Sequence, residues 1–398
     1  MARFYLFDSA HKLLLFSRLL ARGSKRLVRS PSAASEIPLS TVQRKHTVGR
    51  YDVLGIATGD NNSSSKTQHS YDPDFYLRDS EGGSLVFLAE NTLFKVHRCL
   101  LLREPSAFVD MVKLPSSYPE EGRTDGAPIV LLDSAEKFKD LLWALYAPPS
   151  IFLDSQTQPQ IPLRRLLNIV EMTNKYCFES YSSWSIRSLR NLVGDASGPL
   201  RNASSEVFAH VLHVAALCDH RPLLDLLTRR LISRLLWTNM RSDVILEVAE
   251  RHRLAKIIGV IFYKELIGME HISPSILVFP DGVDAEKRMQ LLAAQQSLAK
   301  LWDRLRLTPP TFHHDACLNP EKCRVTWVQL WRGATRASSM MRHASADVLG
   351  RLKSVVIILR KTSVTTSMSV PCTLAALESI SRARDDIVDG LIDHFVDL

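Results

Sequence analysis

The side chains best suited to chemistry lie late in the chain. His313-His314-Asp315-Ala316-Cys317, followed by Cys323, place two imidazoles and two thiols within eleven positions. Zinc takes these ligand types. The spacing departs from C-x2-C pairing, however, and the next thiol, Cys372, would have to be brought close by the fold. Isolated His and Cys residues in a loop are therefore the favoured reading. No metal or other cofactor is expected, and His313, His314, Cys317 and Cys323 stay as secondary metal candidates. The other residue with possible chemistry is His97. It has no nucleophile or second ligand nearby in sequence, so it reads as a packed, hydrogen-bonded residue at a strand–helix junction. Cys99 reads as a small packed side chain. P-loop, dinucleotide Gly, G-x-S-x-G and HExxH patterns are all missing, so no catalytic residue is assigned. An enzyme, metal-binding or hydrolytic, would have to be built on His313, His314, Cys317 and Cys323, and stands as the alternative.

The elements that would position these residues are short strands followed by many helices. Ser84–Glu90 (SLVFLAE) and Leu93–Val96 read as strands around an Asn91-Thr92 turn. His97–Val112 has helical spacing, with Leu100, Leu101, Phe108, Met111 and Val112 on one face. Pro128–Leu132 is a third strand. Asp133 or Ser134 caps the next helix, whose stripe is Phe138, Leu141, Leu142 and Leu145. Pro148-Pro149 ends it, and Leu163–Tyr176 and Phe178–Val193 follow as a helix pair. Beyond residue 200 the expected helices are Glu206–Leu217, one starting near Pro222 with Asp219 as its cap, Asp243–His252, Leu254–Met269, and Asp284–Leu307. Trp327 and Trp331, four apart, predict one packed helical face, and Thr373–Val396 a further amphipathic helix.

At this point the residues resemble a known family. Phe94-Lys95-Val96-His97-Arg98, then Leu101, then Phe108, is similar to the BTB/POZ domain. Leu93–Met111 (LFKVHRCLLLREPSAFVDM), Pro128–Tyr146 (PIVLLDSAEKFKDLLWALY) and the helical Lys175-Tyr176 look most like fungal, basidiomycete-like BTB proteins. The pattern departs in two places. Ser84 stands where that family usually has Asp, and Pro105 where it usually has Ser. In some dimeric members that Asp pairs with the basic residue matching Arg98, so a buried charge pair of that kind has no acid here.

The resemblance implies an α+β fold: a BTB/POZ-like domain over 71–195, a short sheet capped by helices, before a mostly helical remainder divided as 200–310 and 311–398. It also implies a non-enzymatic role through protein partners. These would be the chain itself as a homodimer, a cullin-type ubiquitin ligase that uses the chain as substrate adaptor, or transcription-related complexes. Its motif residues here are Phe94, His97, Arg98, Leu101 and Phe108.

Charge points the same way. The chain has 50 Lys+Arg, 42 Asp+Glu and a net charge of +8. Residues 1–50 hold ten of the basic residues and two of the acids, which is the whole excess. Residues 51–398 are balanced, so no nucleic-acid partner is expected for them. Residues 1–70 read as a basic, disordered leader and linker, with Gly59–Ser70 (GDNNSSSKTQHS) the flexible part. The Arg-rich, acid-poor first fifty residues also suit a mitochondrial transit peptide. Scattered cysteines in a long chain favour reduced thiols and an intracellular setting, cytoplasm or nucleus. No run of about 18 apolar residues exists, so no membrane span is expected.

Overall fold

The computed structural model describes residues 69–78, 83–114, 120–152, 161–272, 279, 285–313, 317–362 and 368–396. The expected leader falls almost entirely outside these residues. The chain is mixed α+β and mostly helical, with one four-stranded sheet and fourteen α-helices among the described residues.

The sheet comes first. Strand β2 (Ser84–Ala89) and β3 (Thr92–His97) form an antiparallel hairpin, with Ser84 opposite His97 and Ala89 opposite Thr92. The turn residues are Glu90, which takes a left-handed φ of 52°, and Asn91. β4 (Ile129–Leu131) runs parallel to β2. β1 (Ser70–Tyr76), which the sequence did not predict, runs parallel to β3, giving the order β1-β3-β2-β4. Its pattern is hidden by Asp72-Pro73-Asp74 and by a register shift between Tyr71 and Tyr76. The buried Asp72 carboxylate accepts the N–H groups of Asp74 and Phe75 (2.9 Å each) and pairs with Lys139 at 3.1 Å. The irregular strand is thus pinned to the helix carrying Lys139.

The helical run expected over 97–112 is split. α1 (Arg98–Leu101) stops, and α2 (Ala107–Lys113) starts after Ser106. Pro105 disfavours continuation, and the buried Ser106 hydroxyl donates back to the Leu101 carbonyl at 3.3 Å. α3 (Ala135–Tyr146) begins where predicted, with Ser134 Oγ accepting the Lys137 N–H at 3.3 Å. α4 (Leu163–Lys175) and α5 (Glu179–Gly194) pack against each other as the expected pair.

The helical series continues with α6 (Ser205–Leu217), α7 (Arg221–Trp237), α8 (Asp243–Arg251), α9 (Ala255–Ile272) and α10 (Ala285–Leu307). α11 (Pro320–Thr335), α12 (Val348–Thr362), α13 (Val370–Gly390) and α14 (Asp393–Val396) complete it. The cap of α7 is His220, whose Nδ1 accepts the Leu223 N–H at 3.2 Å, and not Asp219. Asp219 is exposed and left-handed at φ 47°.

Two apolar cores result. The first joins the sheet to α1–α3 through Phe87, Phe94, Leu101, Phe108 and Phe138, and reaches Met172 and Phe178. The second runs from Leu166 to Phe395. Residues on both sides of position 310 share it, as do Leu189 and Val193 of α5.

Candidate functional site

The BTB-like motif divides by polarity. Phe94, Leu101 and Phe108 are fully buried. Phe94 meets Phe138 edge-on at 5.1 Å between centroids, Phe87 meets Phe108 edge-on at 5.6 Å, and Phe108 stacks on Tyr176 at 4.5 Å. Such ring pairs fix geometry beyond the area they bury. The Tyr176 hydroxyl donates to Asp133 at 2.5 Å, and its carbonyl accepts the Ala107 N–H, so α2 is clamped to the end of α4. Burial and that carboxylate raise the Tyr176 pKa and keep its proton in place.

His97 and Arg98 are exposed. The His97 backbone N–H donates to the Tyr146 oxygen at 3.0 Å, and its Nδ1 lies 3.0 Å from the same hydroxyl. The expected hydrogen-bonded junction is there, at the surface and with Tyr146 as its unforeseen partner. Among the described residues Arg98 is held through its backbone, whose N–H donates to the Gly83 carbonyl at 2.8 Å, and Ser84 brings no charge to it. Cys99 is exposed, correcting its expected packing. The next residue, Leu100, is half-buried while Leu101 takes the core position, because a one-turn helix has only a narrow inward face. On the edge strand β4, Val130 is 65% exposed, and Leu132 just beyond it is 98% exposed.

The thiols assemble in a way that spacing alone does not reveal. Cys317 precedes α11, Cys323 lies in its first turns, and Cys372 lies in the first turn of α13. Their sulfurs all lie within 4.8 Å of one another, with Cys317 and Cys323 3.8 Å apart. Asn319 caps α11 and Ser369 caps α13, which brings two helix N-termini to the cluster. Hydrogen bonds from Cys372 and from the Asn319 N–H hold the Cys317 thiol below its usual pKa, whereas burial pushes Cys372 up to about 11. Of the sequence candidates, Cys317 and Cys323 come together, and Cys372 joins them. His313 is exposed, and His314 lies outside the described residues.

A second constellation was not foreseen. Asp347 Oδ2 meets His343 Nδ1 at 2.8 Å, and His343 Nε2 meets Ser354 Oγ at 2.8 Å. The connectivity is that of a Ser-His-Asp triad. Ser354 sits inside α12, however, where helical hydrogen bonds occupy the neighbouring N–H groups that an oxyanion hole would need. Asp347 also accepts the Gly350 N–H and the buried Tyr263 hydroxyl, each at 2.8 Å, and Tyr263 accepts the Leu349 N–H. The network therefore caps α12 and ties it to α9.

A scan against protein-family models finds no match, and searches of the curated proteins and of the solved structures likewise find none. No helix among the described residues is long and apolar enough to cross a membrane.

Proposed function

We propose that this chain is a non-enzymatic interaction protein whose N-terminal α+β unit is BTB/POZ-like and self-associates or docks a protein partner. One observation carries the reading. The apolar motif residues Phe94, Leu101 and Phe108 converge in one aromatic core, while the motif's polar residues His97 and Arg98 face solvent. After the unexpected β1, the order of the elements agrees: hairpin, two short helices, β4 parallel to β2, then the helices α3–α5. Strand β4, at the edge of the sheet among the described residues, offers that edge and the exposed Val130 and Leu132 side chains to a second chain. The helical body beyond residue 200 is the natural recruiter of a target, whether for a cullin-type ligase or for a transcription-related complex. Ser354, His343 and Asp347 do not favour hydrolysis, because the backbone N–H groups around the serine are taken up within α12 and so form no oxyanion hole.

Light scattering on the full chain, alone and with a cullin N-terminal region, tests this. The expected result is a particle of twice the 44.8 kDa chain mass, or a stable complex with the cullin, weakened by Val130→Lys. A strict monomer that ignores the cullin would overturn the proposal.

A further inference from the structure

We propose that Cys317, Cys323 and Cys372 form a three-thiolate site for a thiophilic d10 metal ion, zinc above all. The distances already fit one. With Zn–S bonds of about 2.3 Å, sulfurs at the corners of a tetrahedron stand about 3.8 Å apart. Cys317 and Cys323 are at 3.8 Å, and the widest separation within the cluster is no more than 4.8 Å. An ion at the centre therefore needs Cys372 to shift by an ångström at most.

The surroundings suit thiolates. Cys323 and Cys372 sit near the N-terminal ends of α11 and α13, where the helix dipoles favour negative charge. The Asn319 N–H points at Cys317. Cys323 and Cys372 are buried within the second core, and Cys317 packs half-buried against it, so water is largely excluded around two of the three ligands. Three thiols also make an odd set: a disulfide between any two would strand the third. The half-exposed side at Cys317 leaves the fourth coordination position to water or a neutral donor, which keeps the net charge of a bound zinc site at minus one.

A metal here would act as a staple. It would join the segment before α11 to α11 itself and to α13, adding to the apolar packing there and to hydrogen bonds such as that from Trp327 Nε1 to the Pro310 carbonyl at 3.0 Å. The site lies in the helical body and does not depend on how the N-terminal unit is used.

The full chain, purified with reductant and without chelator, tests the inference. Elemental analysis should find about one zinc per chain. Exchange with Co2+ should give the intense sulfur-to-cobalt charge-transfer absorption of thiolate ligation. Cys317→Ser, at a half-exposed loop position that tolerates the change, should reduce the metal content from one equivalent to none while keeping the helical circular dichroism. Cys372→Ser should do the same or unfold the body. Cys99→Ser and Cys177→Ser, at exposed positions, should leave it at one. A folded, reduced chain that takes up neither ion would overturn the proposal, and so would a folded Cys317→Ser chain that keeps its full equivalent.

Discussion

Phe138 is the position at which the N-terminal unit is most open to attack. It is fully buried and lies 5.3, 5.1 and 6.4 Å from the rings of Phe87, Phe94 and Phe108. Replacing a buried Phe by Ala costs about 3–5 kcal/mol, from lost transfer energy and from the cavity left behind. Three rigid rings held by two strands and α2 collapse poorly into such a cavity, which places the cost toward the upper end. Each 1.4 kcal/mol is about a factor of ten in an equilibrium constant, so opening of the unit should become about a hundredfold to a few thousandfold more frequent. Native-state hydrogen exchange reads this directly. In Phe138→Ala, amides of β2 and β3 should exchange faster by that factor, while amides of α12, which belongs to the second core, should change little. Self-association of the N-terminal unit should fall in parallel. An acceleration under tenfold in β2 and β3, or an equal one in α12, would refute the reasoning that Phe138 is the centre of a separate core.

Stability should also depend on acid in a predictable direction. His210 and His213 on α6 and His252 at the end of α8 are partly buried, with His213 Nδ1 2.9 Å from His252 Nε2. Burial lowers all three pKa values from 6.5, more than Glu171 raises those of His210 and His213, while Arg251 and the neighbouring imidazole further oppose protonation at the pair. The unfolded chain therefore binds these protons more readily, so stability is whole above the ordinary histidine pKa and declines as pH falls below it. Urea midpoints measured across that range should drop on the acid side, with a shallower fall in His213→Gln; a flat profile in the parent chain would contradict the assignment. Gly259→Ala sets two effects against each other. Alanine favours helix by about 1 kcal/mol, yet its Cβ on α9 would sit 2.6 Å from the Ile392 nitrogen. The clash with fixed backbone should win, lowering the thermal midpoint by several degrees and loosening α14, whereas a raised midpoint would show that the C-terminal segment yields freely.

Local chemistry made much of the fold legible. The β2–β3 hairpin, the Ser134 cap and the packed pair Trp327–Trp331 depend on neighbours a few residues away and all appear, the hairpin with its turn at Glu90-Asn91, one residue before the expected Asn91-Thr92. β1 was not legible, because its pairing with β3 compensates for an Asp-Pro-Asp stretch with low strand propensity. The α7 cap was misplaced by one residue, since Asp219 and His220 both offer an acceptor and only backbone geometry selects between them.

The candidate sites separate along the same line. Residue types alone determined the charge balance of residues 51–398 and the basic first fifty residues, while the motif of Phe94, His97, Arg98, Leu101 and Phe108 rested on the resemblance to the BTB/POZ domain. Spacing could not show that Tyr146 would hold His97, that Asp347 would gather Tyr263 and His343, or that Cys372 would arrive beside Cys317 and Cys323. Apart from His343–Asp347, four residues apart, those contacts join segments distant in sequence. Only packing of the second core fixes which helix N-termini meet, and hence which thiols share a site.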